Sequence, residues 1–194
     1  EGLLVALVAG FFGIVLSDGI LFIIASFNVE LADSILKNWA RKPPPTDWQL
    51  EQFLGIVFFA PLVEELIFRG LVLRRLAVRW GGTVAVVVSS LAFGGLHGAT
   101  VLGATISGVA KALPYARSRT LVVPITAHLF YNLVAYSLRW YRPEENTLTL
   151  ANLYEDMELE MFELAFLTPV VAYYCYRHWP RRREAWPLVG EAGI

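Results

Sequence analysis

Long apolar segments separated by short polar turns dominate the chain. A helix needs roughly 20 apolar residues to cross a bilayer, and six segments reach or approach that length, at approximately residues 2–27, 53–76, 83–97, 100–116, 121–140 and 159–176. Within lipid, the backbone must satisfy its own hydrogen bonds. The pattern therefore predicts an all-α fold, a polytopic transmembrane helical bundle of about six spans.

Two polar stretches interrupt this pattern. Residues 28–52 contain consecutive prolines, which exclude a helix, so this stretch is predicted to be a loop that leads into a helix capped by Thr46 or Asp47. Residues 142–160 form a second polar stretch, which is acidic. Since the sequence has no internal repeat and no low-complexity tract, residues 1–194 are predicted to form a single domain, with the motifs in a core at about 53–140.

Composition favours a membrane environment. Of the 194 residues, 56% are hydrophobic, and the mean hydropathy is +0.53, which is high for a soluble domain. This hydrophobic content makes membrane lipid the expected partner, and the formal net charge of -1 gives no reason to expect nucleic acid. Cys175 is the single cysteine and is expected to pack as an apolar residue.

Basic residues predict an orientation, because Lys and Arg accumulate on the cytoplasmic side of membrane proteins. Three basic turns fall on one side of a six-span arrangement, and the acidic stretch falls on the other. Both termini are therefore predicted to be cytoplasmic. The first segment, residues 2–27, is too long for a signal peptide and is expected to be a retained span. The basic groups are Arg74, Arg75 and Arg79; Lys111, Arg117 and Arg119; and Arg177, Arg181, Arg182 and Arg183.

Ionisable residues within the predicted spans are candidates for function, because a charge in hydrocarbon costs from about 3 to more than ten kcal/mol. With a helical rise of about 1.5 Å per residue, Glu64 and His97 each lie about 22 Å from the cytoplasmic ends of their helices. By the same measure, His128 is about 14 Å deep and Asn132 about 20 Å deep. Polar groups at overlapping depths on separate helices normally face one another. The sequence therefore predicts one shared site.

Spacing predicts which of these side chains pair, because residues four apart share a helix face. Glu65 and Arg69 are expected to form a structural pair, which leaves Glu64, about 100° away around the helix, free for chemistry. Pro61 and Pro124 are expected to kink their helices and free carbonyl groups.

The same spacing applies to the histidines. Phe93 is expected to pack beneath His97, while His128 and Asn132 are expected to aim at one target.

The motifs, taken in order, resemble those of the CAAX protease and bacteriocin-processing family (CPBP, also called ABI) of intramembrane endopeptidases. That family carries Glu-Glu-x-x-x-Arg, Phe-x-x-x-His and His-x-x-x-Asn or Asp on successive core helices. The matching sequences here are Glu64-Glu65-Leu-Ile-Phe-Arg69, Phe93-Gly-Gly-Leu-His97 and His128-Leu-Phe-Tyr-Asn132. Ser89-Ser90 precede the second motif, and the resemblance covers about residues 61–133.

The resemblance implies hydrolysis of a peptide bond. Glu64 is then the general base and His97 its partner in holding the attacking water, while His128 and Asn132 stabilise the oxyanion. The predicted set contains no nucleophilic Ser, Thr or Cys, which favours direct attack by water. The implied substrate is a peptide or protein, lipidated in the CAAX branch. The predicted catalytic set is Glu64, Glu65, Arg69, His97, His128 and Asn132.

Three alternatives stay open. Zn²⁺ accepts the ligand types of Glu64, His97 and His128, and three protein ligands plus water is the usual catalytic pattern, although no His-Glu-x-x-His motif is present. Metal-free glutamate chemistry is preferred over this zinc-dependent version. A noncatalytic membrane scaffold or chaperone of the same fold is the second alternative. A proton or ion pathway is the third, and it would require polar residues spread along a path rather than clustered at one depth.

Overall fold

The computed structural model describes residues 2–39, 49–141 and 149–180, which are helical apart from short turns and contain no strand. The all-α prediction is confirmed. Over these described residues, no helix combines the length and apolar character of a membrane-crossing segment. The helices are α1 (Gly2–Phe27), α2 (Val29–Trp39), α3 (Gln49–Leu54), α4 (Ala60–Glu65), α5 (Arg74–Trp80), α6 (Gly82–Gly95), α7 (Val101–Ser118), α8 (Val122–Tyr141) and α9 (Leu150–His178).

One continuous helix carries the first motif. The π-helical segments Gly55–Phe59 and Leu66–Leu73 join α3, α4 and α5 without a break, and we call the whole of residues 49–80 the motif helix. π-Helical turns are rare and frequently occur at functional sites. A 3₁₀ turn, Gly98–Thr100, separates α6 from α7.

The prediction that residues 28–52 form a loop is wrong in part, because this stretch contains α2. Asn28 caps this helix, since its Oδ1 accepts a hydrogen bond from the Leu31 N–H at 3.0 Å. Ala32 and Leu36, four residues apart, are buried against α1 and α9. Low overall hydropathy concealed this narrow apolar face. The predicted caps Thr46 and Asp47 lie outside the described residues.

The acidic stretch is also partly helical, because α9 begins at Leu150. Leu153 and Met157 form its apolar face and are buried with Leu21 of α1, while Glu155 and Glu158 are exposed. The sequence signal is again a four-residue apolar spacing within a charged segment.

The core is built around α1, which contacts α2, α7, α8 and α9. A second apolar cluster joins the motif helix, α6, α7 and α9 through Leu73, Val86, Leu113 and Tyr174. Cys175 is half-buried beside this cluster, as expected for an apolar packing residue.

Helices α6 and α7 approach each other closely because small residues meet at their crossing. A Cβ built on Gly94 would lie 2.6 Å from the Val101 carbonyl oxygen and would overlap Thr105 Oγ1. A Cβ built on Gly108 would lie 3.1 Å from Ser90 Cβ. Such small-residue contacts allow backbones to pack tightly, and this crossing holds α7 near the second motif.

Gly94→Ala is expected to destabilise the fold by about 1–3 kcal/mol, the usual cost of overpacking, because a backbone oxygen stands in the way of the new methyl group. The neighbouring Gly95 provides a matched control, since a Cβ there meets nothing within 4 Å. Thermal unfolding of the purified protein should show a lower midpoint for Gly94→Ala only. Equal midpoints for the two variants would contradict this close approach.

Candidate active site

Glu65 lies at the centre of a buried polar cluster, and its side chain is 0% exposed. Arg69, one turn later, donates from Nη1 to Oε1 at 3.1 Å and places Nε 3.1 Å from Oε2. From α8, His128 Nδ1 lies 2.8 Å from Oε1. From α7, Lys111 Nζ lies 3.6 Å from the same oxygen. The predicted Glu65–Arg69 pair is confirmed, and Glu65 connects three helices.

Arg69 extends this cluster to the α7 backbone. Its side chain is buried, and Nη2 donates to the Gly108 carbonyl oxygen at 2.9 Å. Because Gly108 is also a point where α7 approaches Ser90 of α6 closely, the guanidinium connects the motif helix to the α6–α7 pair at one of its close contacts.

Glu64 has a different environment from its neighbour. Its side chain is 29% exposed, and among the described residues its buried Oε2 has no hydrogen-bond partner. That oxygen lies 3.7 Å from His128 Nε2, and the carboxylate also interacts electrostatically with His97 and Lys111. Both Oε2 atoms lack a hydrogen-bond partner among the described residues, but that of Glu65 lies 3.1 Å from Arg69 Nε in a fully buried ion pair, whereas the Glu64 side chain is partly exposed.

His97 lies in the turn after α6, whereas the sequence predicted it to lie within the third span. Its Nδ1 is 2.7 Å from the Phe93 carbonyl oxygen. Because a carbonyl only accepts, Nδ1 carries the proton, and Nε2 of the neutral ring remains an acceptor. Gly98 comes next with φ of 56°, a left-handed conformation that glycine adopts readily and that reverses the chain here.

The Phe93 ring is the common neighbour of the second and third motifs. The ring centroids of His97 and His128 lie 4.5 Å and 5.9 Å from its own, so the predicted packing beneath His97 is confirmed. Lys111 Nζ and Arg69 Cζ lie 4.4 Å and 4.8 Å from the same centroid. Cations over an aromatic face are attracted by its quadrupole. Phe93 thus shapes the site by contacting histidines and cations alike.

Asn132 points to a different target from the one predicted. Its Nδ2 donates to the Ile56 carbonyl oxygen at 2.8 Å, whereas His128, one turn earlier, contacts the Glu65 and Glu64 carboxylates. The expectation that both side chains aim at one target is therefore wrong, because the Asn132 amide donates its hydrogen bond to a backbone carbonyl of the motif helix.

Pro61 and Pro124, both predicted to kink their helices, lie at different kinds of position. Pro61 lies at the start of α4, directly after a π-helical turn, in agreement with a local distortion. Pro124 lies in the first turn of α8, where a backbone N–H has no helical acceptor anyway. The predicted kink at Pro124 is therefore not needed, because proline is well tolerated in the first turn.

Lys111 is the site residue that sequence reasoning missed. The sequence pattern groups it with Arg117 and Arg119 as a marker of a cytoplasmic turn, but it lies in the middle of α7 and is 3% exposed. A lysine within an apolar segment is itself the signal, since the cost of a buried charge also singles out Glu64 and Glu65.

Lys111→Met is expected to lower the free energy of unfolding by about 1–3 kcal/mol, the value of contacts to a charged group. Methionine keeps the apolar contact with Phe93 but leaves Glu65 without its second cation. Lys37→Met is the control, because Lys37 pairs with Asp33 with 76% of its side chain exposed and such pairs contribute little. Equal unfolding midpoints for both variants would contradict a structural role for Lys111.

A metal centre would need several donor side chains arranged around one point. Over residues 2–39, 49–141 and 149–180, no group of three or more His, Cys, Asp or Glu side chains is arranged to hold a metal ion. Glu64, His97 and His128, the ligands of the zinc-dependent version, therefore do not fit a metal centre as they stand.

One protein family matches the segment that forms this site. The family model for type II CAAX prenyl endopeptidases, described as Rce1-like, matches residues 46–134. This segment is therefore similar to that family. It contains the three motifs, so the resemblance to CAAX prenyl endopeptidases is confirmed. The Rce1-like match supports a membrane-associated protease of the CAAX type that acts on a peptide or protein. No curated protein and no solved structure gives a significant match.

Proposed function

We propose that the chain is an integral membrane endopeptidase that hydrolyses a peptide bond with water activated by Glu64. The contrast between two adjacent carboxylates carries this proposal. Glu65 is fully buried and forms ion pairs with Arg69 and Lys111, whereas Glu64 is partly exposed and its Oε2 lies 3.7 Å from His128 Nε2. A partly exposed carboxylate held beside histidines is suited to accept a proton from water.

The proposed reaction uses this chain's residues alone. Glu64 removes a proton from water, His97 Nε2 accepts the other water proton in a hydrogen bond, and the oxygen attacks the scissile carbonyl carbon. The resemblance implies that His128 stabilises the resulting oxyanion. Collapse breaks the carbon–nitrogen bond, and the proton on Glu64 passes to the leaving amine.

The membrane arrangement is part of the same proposal. The six apolar segments cross the bilayer with both termini on the cytoplasmic side, and the site is entered from that side or laterally from lipid. Large apolar side chains on the outer faces of the motif helix and α6 support lipid contact. They include Phe58, Phe59, Leu62, Leu66, Ile67, Val87, Val88 and Leu91.

Cleavage in water labelled with heavy oxygen tests this proposal. Purified protein is incubated with a peptide library that includes prenylated and unprenylated CAAX peptides, and the products are analysed by mass spectrometry. We expect one heavy oxygen in the new carboxyl group, no effect of chelator, and product formation at least about a hundredfold slower with identically purified Glu64→Gln protein. Chelator-sensitive cleavage that zinc restores would favour the zinc-dependent version, and cleavage undiminished in Glu64→Gln would refute the role of Glu64.

A further inference from the structure

We infer that Asn132 is a positioning residue: its amide supplies a hydrogen bond that Pro61 cannot make to the Ile56 carbonyl, and it thereby fixes the orientation of Glu64. The catalytic consequence depends on the proposed function, whereas the hydrogen-bonding role does not.

The Ile56 carbonyl lacks a donor within its own helix. In an α-helix it would accept from the N–H of residue 60, but the Ala60 N–H donates to the Gly55 oxygen instead, as a π-helical turn requires. In continued π geometry it would accept from the N–H of residue 61, which is proline and has none. The Asn132 Nδ2–H bond of 2.8 Å satisfies this carbonyl from α8.

This bond is one of three contacts at four-residue spacing along α8. His128 contacts Glu65, Asn132 contacts Ile56, and Tyr136 packs edge-on against Phe53 at 5.3 Å between centroids. As the residue number rises along α8, the residue number of the partner on the motif helix falls. Asn132 therefore holds the middle of an antiparallel contact that extends from the ion cluster to the start of the motif helix.

The orientation of Glu64 depends on the geometry of this turn. α4 carries Glu64 and Glu65 directly after the π-helical segment Gly55–Phe59. A change of register by one residue rotates the downstream part of the helix by about 100°, which is also the angle between adjacent side chains. If the π turn relaxed by one residue, Glu64 would move toward the position of Glu65 and its carboxylate would leave the site.

Restoring the missing N–H tests the inference. Asn132→Ala is expected to reduce kcat at least tenfold per folded molecule with little change in KM, because chemistry is misaligned while substrate binding is retained. Pro61→Ala adds an N–H that reaches the Ile56 oxygen, so the Pro61→Ala/Asn132→Ala double variant should regain most of the activity. Pro169→Ala, at an exposed site inside α9, is the matched proline control and should rescue nothing.

A stability cycle on the same proteins provides a readout that needs no catalysis. Asn132→Ala should lower the unfolding midpoint in the wild-type background and have little effect in the Pro61→Ala background. An equal loss in both backgrounds, or a double variant as inactive as Asn132→Ala, overturns the inference and assigns Asn132 directly to the substrate. If no variant cleaves peptide, the proposed function fails and the stability cycle still decides the role of Asn132.

Discussion

Glu64→Gln is expected to lower kcat by about 10²- to 10⁴-fold, the usual contribution of a general base, while the unfolding midpoint stays the same. Glutamine preserves the size and one oxygen of the side chain but cannot accept a proton from water. The fold should tolerate the change, because within the described residues the Glu64 Oε2 makes no hydrogen bond that would be lost. Steady-state kinetics on a cleaved peptide and thermal unfolding measure the two quantities.

Glu158→Gln is the control for this substitution, since Glu158 is exposed on α9 and should change neither quantity. A Glu64→Gln protein that fails to cleave peptide yet keeps its biological role would identify a noncatalytic scaffold or chaperone. Ion flux into proteoliposomes that survives both Glu64→Gln and His97→Ala would instead support a transport role independent of this site.

Glu65→Gln is expected to destabilise the fold by about 3–5 kcal/mol, the cost of breaking a buried ion pair by removing one partner. Arg69 and Lys111 would remain buried, at 1% and 3% exposure, without their shared carboxylate. The chemical change equals that of Glu64→Gln one position earlier, so the pair of variants is internally matched. Chemical unfolding in detergent, monitored by tryptophan fluorescence, should separate them clearly.

A double variant tests the cause of that loss. Glu65→Gln leaves two buried cations without their carboxylate, and Glu65→Gln/Lys111→Met removes one of them. The combined destabilisation should therefore be smaller than the sum of the single effects. Strict additivity would show that Lys111 and Glu65 do not interact energetically. Equal stability of Glu65→Gln and the wild type would show that the cluster does not hold the three helices together.

Regular spacing made part of the site predictable. Two pairs, Glu65 with Arg69 and Phe93 with His97, arise from a four-residue separation on one helix, because that separation places side chains on one face. The structure shows both contacts.

Contacts between helices are harder to predict. Lys111 resembles a topological marker in the sequence because a basic residue near a turn is usually solvated. Its position within an apolar segment indicates burial, but only the packing of α7 against α6 and the motif helix shows which groups it contacts. The bond from Asn132 to Ile56 depends on a π-helical turn that precedes a proline. Hydrophobic periodicity does not encode such a turn, since it reports the face of a side chain and not the acceptor of each N–H.

The division of labour between Glu64 and Glu65 has an evolutionary consequence. Since Glu65 connects the motif helix to α7 and α8, a descendant that changes it must redesign its interior. Under the proposed function, a descendant that changes only Glu64 would inherit an intact architecture without chemistry. Inactive paralogues of such an enzyme should therefore arise by a single mutation, and they would differ from it at the position of Glu64.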